Sequence, residues 1–118
     1  MIELPDRDLQ ELKAILRRQV PELEVRAFGS RVTQRASRYS DLDLVIVGEG
    51  PLRWQTLFEL KEALSESMLP IIVEVVDWHA LSEEFRKAIQ NHCEVIQEVK
   101  KSAPARLGSG APRKSGME

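Results

Sequence analysis

The chain has 118 residues, of which 42% are hydrophobic and 31% are charged, and its formal net charge is −2. This length supports one small globular domain, and the weak negative charge gives no reason to expect general nucleic-acid binding. One cysteine excludes an intrachain disulfide, and no apolar stretch is long enough to cross a bilayer. Together with an N-terminus that lacks a signal-peptide core, these features favour a cytoplasmic protein.

The first third of the chain predicts a helix followed by a strand. Apolar residues recur at helical spacing after Pro5, and Pro21 ends this run. The apolar positions of the predicted helix are Leu9, Leu12, Ile15 and Leu16. Residues 23–28 then predict a short strand, and residues 30–36 predict a short helix whose N-terminal N–H groups could bind phosphate.

The most informative segment spans residues 28–47 and reads FGSRVTQRASRYSDLDLVIV. The Gly29-Ser30 turn can present N–H groups to phosphate oxygens, because glycine permits close approach and serine adds a hydroxyl. Asp41 and Asp43 share one face of a strand, since side chains alternate with period two. A phosphate-binding turn beside two hard-oxygen ligands suits magnesium-dependent phosphoryl or nucleotidyl transfer. The alternative is a polar turn that merely opens a strand buried on both faces.

The remainder of the chain predicts further alternation of helices and strands. After a turn at residues 48–51, an amphipathic helix is predicted, with its aromatic residues in the core. Its face is defined by Trp54, Leu57, Phe58, Lys61 and Leu64. A third strand covers residues 71–76, Ser82 is predicted to cap the last helix, and Val95-Ile96 fit a final short strand. The buried side of the last helix is predicted from Phe85, Ala88, Ile89 and Cys93.

Glu74 is a lone acid among the β-branched residues of the third predicted strand. An unpaired carboxylate buried there would cost several kcal/mol or would shift its pKa to stay neutral. One interpretation is an ion pair with an arginine such as Arg26. Zinc binding is not indicated, because neither histidine of the chain has a second His or Cys at ligand spacing.

Six residues at fixed spacing carry a family resemblance: Gly29, Ser30, Ser40, Asp41, Asp43 and Leu44. Their arrangement resembles the signature of the minimal nucleotidyltransferases, which are small single-domain members of the DNA polymerase beta-like superfamily. The resemblance covers roughly residues 9–100. Gln34 departs from it, because the family usually has a glycine there.

The resemblance implies an α/β fold with a polymerase beta-like nucleotidyltransferase core, in which helices pack on a small mixed sheet. We expect this domain to occupy residues 1–100. Residues 101–118 are rich in Gly, Ser, Ala, Pro and Arg and have no periodic apolar pattern, so they are predicted to form a disordered tail.

The resemblance also implies the site residues. In polymerase beta-like enzymes a third acid on a neighbouring strand completes the metal site, and Glu74 falls where that acid is usual. Asp77 is the weaker candidate, because its side chain has the opposite parity on the strand. The predicted catalytic and metal-binding residues are therefore Asp41, Asp43 and Glu74. The predicted nucleotide-binding residues are Gly29, Ser30, Arg31 and Ser40, with a solvated arginine as the alternative interpretation of Arg31.

The activity implied by the resemblance is Mg²⁺-dependent transfer of a nucleoside monophosphate, AMP from ATP, to a hydroxyl group. Proteins of this kind commonly act as antitoxins beside a helical HEPN toxin, so the implied partner is a HEPN-type protein in a homo- or hetero-oligomer. Gln34 and Glu74, which depart from the usual residues, favour an alternative: an inactive or weakly active module that neutralises its partner by binding. Transfer to a small molecule or an RNA end is a third hypothesis.

Overall fold

The structure is a computed structural model that describes residues 2–29, 31 and 41–99. Its strands are β1 (Glu24–Phe28), β2 (Leu42–Val47), β3 (Val73–Asp77) and β4 (Cys93–Gln97). Its helices, numbered over the described residues, are α1 (Asp6–Gln19), α2 (Trp54–Ser65) and α3 (Glu83–Asn91), with a short 3-10 helix at Trp78–Ala80. None of the described helices has the length and apolar character needed to cross a membrane.

The strands form a single mixed sheet in the order β3-β2-β1-β4. β1 pairs antiparallel with both β2 and β4, whereas β2 and β3 run parallel. The parallel pair needs a crossover connection, and α2 supplies it between the end of β2 and the start of β3. The prediction of a small mixed sheet with packed helices is confirmed.

The core lies between one face of the sheet and helices α1 and α2. α1 places Leu12 and Leu16 there, as the helical spacing predicts. β2 places Leu44 and Ile46 in the same core, while Val45 on its other face is also fully buried. The prediction that this strand is buried on both faces is therefore confirmed, and the strand forms a rigid support for the acids at its start.

The prediction for the aromatic residues of α2 is wrong. Trp54 and Phe58 are 71% and 56% exposed, and their rings form an edge-to-face pair on the outer surface. Leu60 and Leu64 are the residues that face the core. Trp54 and Phe58 lie on the same side of the helix as Lys61, and that charged residue is the sequence signal that this side faces water.

The third strand begins later than predicted, because it covers Val73–Asp77 rather than residues 71–76. Ile72 is 63% exposed, and Glu74 is exposed as well. β3 is an edge strand, so its residues are not all covered by neighbouring elements. Glu74 is therefore spared the cost of burial that the apolar run suggested.

The last helix has a smaller buried side than predicted. Ile89 is buried, but Phe85 is 47% exposed and Ala88 is exposed. Cys93 lies outside the helix, at the start of β4, and is half-buried. The predicted cap is confirmed, since the Ser82 hydroxyl accepts a hydrogen bond from the Phe85 N–H at 3.1 Å.

Several predictions lie outside the described residues. They concern Ser30, Ser40 and Gln34, the tail over residues 101–118, and the short helix over residues 30–36 except for Arg31. These remain predictions.

Candidate active site

The turn after β1 and the start of β2 meet at Gly29 and Asp43. The register pairs Phe28 with Asp43, so Gly29 follows directly beside that acid. Gly29 has a φ of 85°, which is in the left-handed region that favours glycine. A Cβ atom at this position would overlap Oδ2 of Asp43. Glycine is thus required here twice, by its backbone conformation and by the carboxylate beside it.

A second acid lies beside Asp43 on the neighbouring strand. In the parallel register of β2 and β3, Asp43 is the partner of Glu74. The Leu42 N–H donates to the Ile72 carbonyl oxygen at 2.9 Å, which fixes this register just before the two acids. Residues directly opposite each other on neighbouring strands point to the same side of the sheet, so both carboxylates emerge from one face.

The electrostatic environment of Asp43 is unfavourable for its charged form. Burial raises the pKa of the Asp43 carboxyl, and the negative charges of Asp41 and Glu74 raise it further. None of the described residues donates a hydrogen bond to this carboxylate. The side chain is half-buried among like charges, which is an arrangement typical of functional sites.

Asp41 lies one residue before β2 and is exposed. It is close enough to raise the pKa of Asp43, so the structure brings all three predicted acids into one electrostatic neighbourhood. Within residues 2–29, 31 and 41–99, however, no three acidic, His or Cys side chains already form a closed ligand set for a metal ion. Asp41 and Glu74 are both exposed, so rotation of their side chains is available to close such a set.

Arg31 is 5% exposed, so its interpretation as a solvated arginine is wrong. Its Nη1 donates to the carbonyl oxygen of Glu3 at 2.6 Å, and its own carbonyl oxygen accepts from the Glu3 N–H at 2.8 Å. Arg31 therefore anchors the N-terminal segment beside the Gly29 turn. A direct contact with phosphate remains a prediction.

The predicted alternative partner of Glu74 is engaged elsewhere. Arg26 forms an ion pair with Glu24 on its own strand. Within the part of the chain that the structure describes, Glu74 forms no ion pair. The ion-pair interpretation of Glu74 with Arg26 is therefore wrong, and this acid stays available beside Asp43.

Asp77 has a structural role that the sequence reasoning did not assign. Its Oδ2 accepts from the Leu52 N–H at 2.9 Å, and its Oδ1 accepts from the His79 N–H at 3.1 Å. The Nε2 of His79 lies 2.7 Å from the Gly48 carbonyl oxygen, so the same group holds the turn after β2. An aspartate directly before a helical turn is a capping signal, and it could have identified this role.

Taken together, the described residues combine a glycine turn suited to phosphate with a row of carboxylates on one face of the sheet. Such a face can accept a polyphosphate together with hard cations, because the carboxylates repel each other until positive charge is placed among them. The chemistry that this arrangement indicates is transfer of a phosphorus-centred group.

Comparison with known proteins adds to this geometry. Residues 10–102 match the family model described as Polymerase beta, Nucleotidyltransferase. The chain is 46% identical over 101 residues to a Haemophilus influenzae protein named "Probable protein adenylyltransferase MntA", covering 86% of this chain and 89% of the relative.

Two solved structures share the fold. A toxin–antitoxin with AMP-PNP has a TM-score of 0.65 and 22% identity, covering 78% of this chain and 74% of that chain. A complex of a tri-AMPylated Shewanella oneidensis HEPN toxin with an MNT antitoxin has a TM-score of 0.52 and 20% identity, covering 79% of this chain and 71% of that chain.

Proposed function

Because the chain belongs to the polymerase beta nucleotidyltransferase family, among its minimal nucleotidyltransferases, we propose that it transfers AMP from ATP to a hydroxyl group on a partner toxin protein. The observation that carries this proposal is the parallel register of Asp43 with Glu74 beside the Gly29 turn. The relative named as a protein adenylyltransferase supports AMP as the transferred group and a protein as its acceptor.

The donor set fits a hard divalent cation, and Mg²⁺ is the proposed ion. Carboxylate oxygens are the ligands that Mg²⁺ prefers, and positive charge beside Asp43 would relieve the repulsion that raises its pKa. We assign the ion to Asp41, Asp43 and Glu74. When bound, it would neutralise charge on the triphosphate and on the leaving pyrophosphate.

The chain's own residues position the reactants. Backbone N–H groups at Gly29 would bind the β- and γ-phosphates of ATP, with Ser30, Arg31 and Ser40 as the further proposed nucleotide-binding residues. An acceptor hydroxyl oxygen attacks the α-phosphorus, the bond from that phosphorus to the bridging β-phosphate oxygen breaks, and pyrophosphate leaves. We assign to Glu74 the roles of orienting the hydroxyl and accepting its proton, so that the acceptor would approach from the β3 side; the register of Glu74 with Asp43 supports this assignment.

The proposed partner is a helical HEPN-type toxin, with this chain as its antitoxin. The solved relatives support this, since they are toxin–antitoxin complexes, one of them with an AMPylated toxin. The product would be a hetero-oligomer in which the toxin carries AMP. We also propose a cytoplasmic location, which the free thiol of Cys93 supports because thiols persist in reducing compartments.

A transfer assay tests the proposal. The protein is incubated with Mg²⁺, ATP and the helical product of the adjacent gene, once with label in the α-phosphate and once with label in the γ-phosphate. Adenylylation predicts label on the partner only from α-labelled ATP. Label from the γ-position would indicate a kinase instead and would contradict the proposal.

The same assay separates the alternatives. A stable complex with the partner and no label would favour a binding module that neutralises by contact. Label on RNA ends or on a small-molecule acceptor, with none on the partner, would redirect the activity to that substrate. A thermal shift with Mg²⁺ that disappears in Asp43→Asn would support the metal assignment independently of turnover.

A further inference from the structure

An aromatic pair lies beside the acids, on the face of the sheet opposite the main core. Phe28 is the register partner of Asp43 on β1, and Phe85 reaches it from α3. The two rings are 5.9 Å apart between centroids and 88° apart in plane. An edge-to-face pair leaves ring faces uncovered, and Phe85 is 47% exposed. The Phe85 ring is therefore accessible from solvent beside the proposed reaction site.

Helix α3 holds Phe85 in a fixed position. Ser82 caps the helix through the Phe85 N–H, and Ile89 anchors the next turn with 2% exposure. The guanidinium of Arg86 donates from Nε to the Trp78 carbonyl oxygen at 2.9 Å and lies 5.7 Å from the centroid of the Trp78 ring. These contacts hold the backbone of α3 on either side of Phe85, and the edge-to-face contact with Phe28 orients the Phe85 ring.

The strand order decides which reactant this ring faces. Three registered residues lie side by side on this face of the sheet, in the order Glu74 on β3, Asp43 on β2 and Phe28 on β1. The acceptor of the proposed reaction lies on the Glu74 side, whereas Gly29 and the phosphates lie on the β1 side. The aromatic pair is therefore on the nucleotide's side of the acids.

We infer that Phe85, supported by Phe28, stacks on the base of the nucleoside triphosphate. This inference rests on the proposed function for the direction of the nucleotide. A phenyl face suits a purine well, because stacking depends on π-surface and needs no hydrogen-bond pattern. Phe85 thereby becomes a positioning residue for the α-phosphate, since holding the base restricts the rest of the nucleotide.

Equilibrium binding to the full-length protein in Mg²⁺ tests this inference, with ATP and inorganic tripolyphosphate as the two probes. Phe85→Ala should weaken ATP binding by about 10-fold, as expected for loss of one base–aromatic stack. The affinity for tripolyphosphate, which has no base, should not change. Phe85→Trp should bind ATP at least as well as the wild type.

The matched control is Phe58→Ala. Phe58 is also half-exposed and also belongs to an edge-to-face pair, but it lies on α2, outside the proposed site. Phe58→Ala should therefore leave the affinities for ATP and for tripolyphosphate unchanged. If Phe85→Ala lowered the affinities for tripolyphosphate and for ATP equally, Phe85 would support only the fold, and the inference would be overturned.

Equal ATP affinity of the wild type and Phe85→Ala would overturn the inference while leaving the proposed transfer reaction in place. Conversely, a Phe85-dependent loss of ATP binding in a protein that transfers no AMP would support the stacking role and refute the proposed reaction. Absence of ATP binding by the wild type would refute the stacking role outright.

Discussion

Two aspartates on neighbouring parallel strands, Asp43 near the start of β2 and Asp77 at the end of β3, occupy opposite ends of the same sheet. Asp77 is 9% exposed, and both of its oxygens accept backbone N–H groups. Asp43 is half-buried, accepts no hydrogen bond from the described residues and faces two other acids.

The difference separates Asp77, whose role is structural, from Asp43, which we propose to be functional. Each carboxylate oxygen of Asp77 accepts a backbone N–H group, so hydrogen bonds compensate for its burial and its role is structural. Asp43 is partly withdrawn from water beside like charges, which costs free energy that only a proton or a cation can recover. Four predictions test this contrast, in order of decreasing expected effect.

The largest effect on AMP transfer is expected from removing the charges of Asp41 and Asp43 together. Asp41→Asn combined with Asp43→Asn should lower AMP transfer by more than about 1,000-fold, because it removes charge stabilisation worth several kcal/mol. The measurement is the rate of label transfer from α-labelled ATP. Asp77→Asn is the control, and it should retain transfer below its melting temperature. Retained activity in the double variant would contradict the assignment of the acids.

Gly29→Ala is expected to have the second largest effect on transfer. The added Cβ would overlap Oδ2 of Asp43 and would hold alanine at a positive φ, so both the turn and the carboxylate must shift. A misplacement of this kind should cost about 100-fold in transfer rate. Gly50→Ala is the matched control, because its Cβ would meet no atom within 4 Å. Similar rates for the two variants would contradict a role for the turn.

The elements at the β1 and β2 end of the candidate site were predictable from the sequence because their determinants are local. The Gly29 turn, the acid pair and the apolar run of β2 lie within one short segment, whereas the contact between the turn and Asp43 depends on the antiparallel register of β1 and β2. The pairing of Asp43 with Glu74 depended on the family resemblance, since the strands are joined through α2 and their register is a tertiary feature.

Other features could not be predicted because they depend on which elements become neighbours. The exposure of Glu74 follows from the edge position of β3, and the exposure of Trp54 follows from which side of α2 meets the core. Phe85 meets Phe28 only after α3 folds onto the sheet. Helical spacing marks an apolar side but does not determine how much of it is covered.

Asp77→Ala should reduce stability rather than activity. It leaves the N–H groups of Leu52 and His79 without their acceptor, which should cost about 1–3 kcal/mol. Chemical denaturation measures the free energy of unfolding. Glu74→Ala on the same strand is the control and should change stability by less than about 0.5 kcal/mol, because that side chain is exposed. Equal losses of unfolding free energy in Asp77→Ala and Glu74→Ala would contradict the structural role of Asp77.

The smallest predicted effect concerns Asp43 and pH, in the absence of Mg²⁺ and nucleotide. The pKa of Asp43 is raised above the ordinary aspartate value of 3.8, so the folded state binds this proton more tightly than the unfolded state does. Protonation of Asp43 therefore stabilises the folded state. This stabilisation is complete below pH 3.8 and is lost as the pH rises through the raised pKa of Asp43. Asp43→Asn has no such loss, so at neutral pH it should melt at a higher temperature than the wild type, by about 4 °C or less.

The difference in melting temperature between the two proteins, followed from pH 7 towards acid, should shrink as Asp43 becomes protonated. Two results would contradict the contrast between the two ends of the sheet: a difference in melting temperature that does not change across that range, or a lower melting temperature for Asp43→Asn at neutral pH. Either result would show that the folded state accommodates the charged Asp43 carboxylate as well as it accommodates that of Asp77.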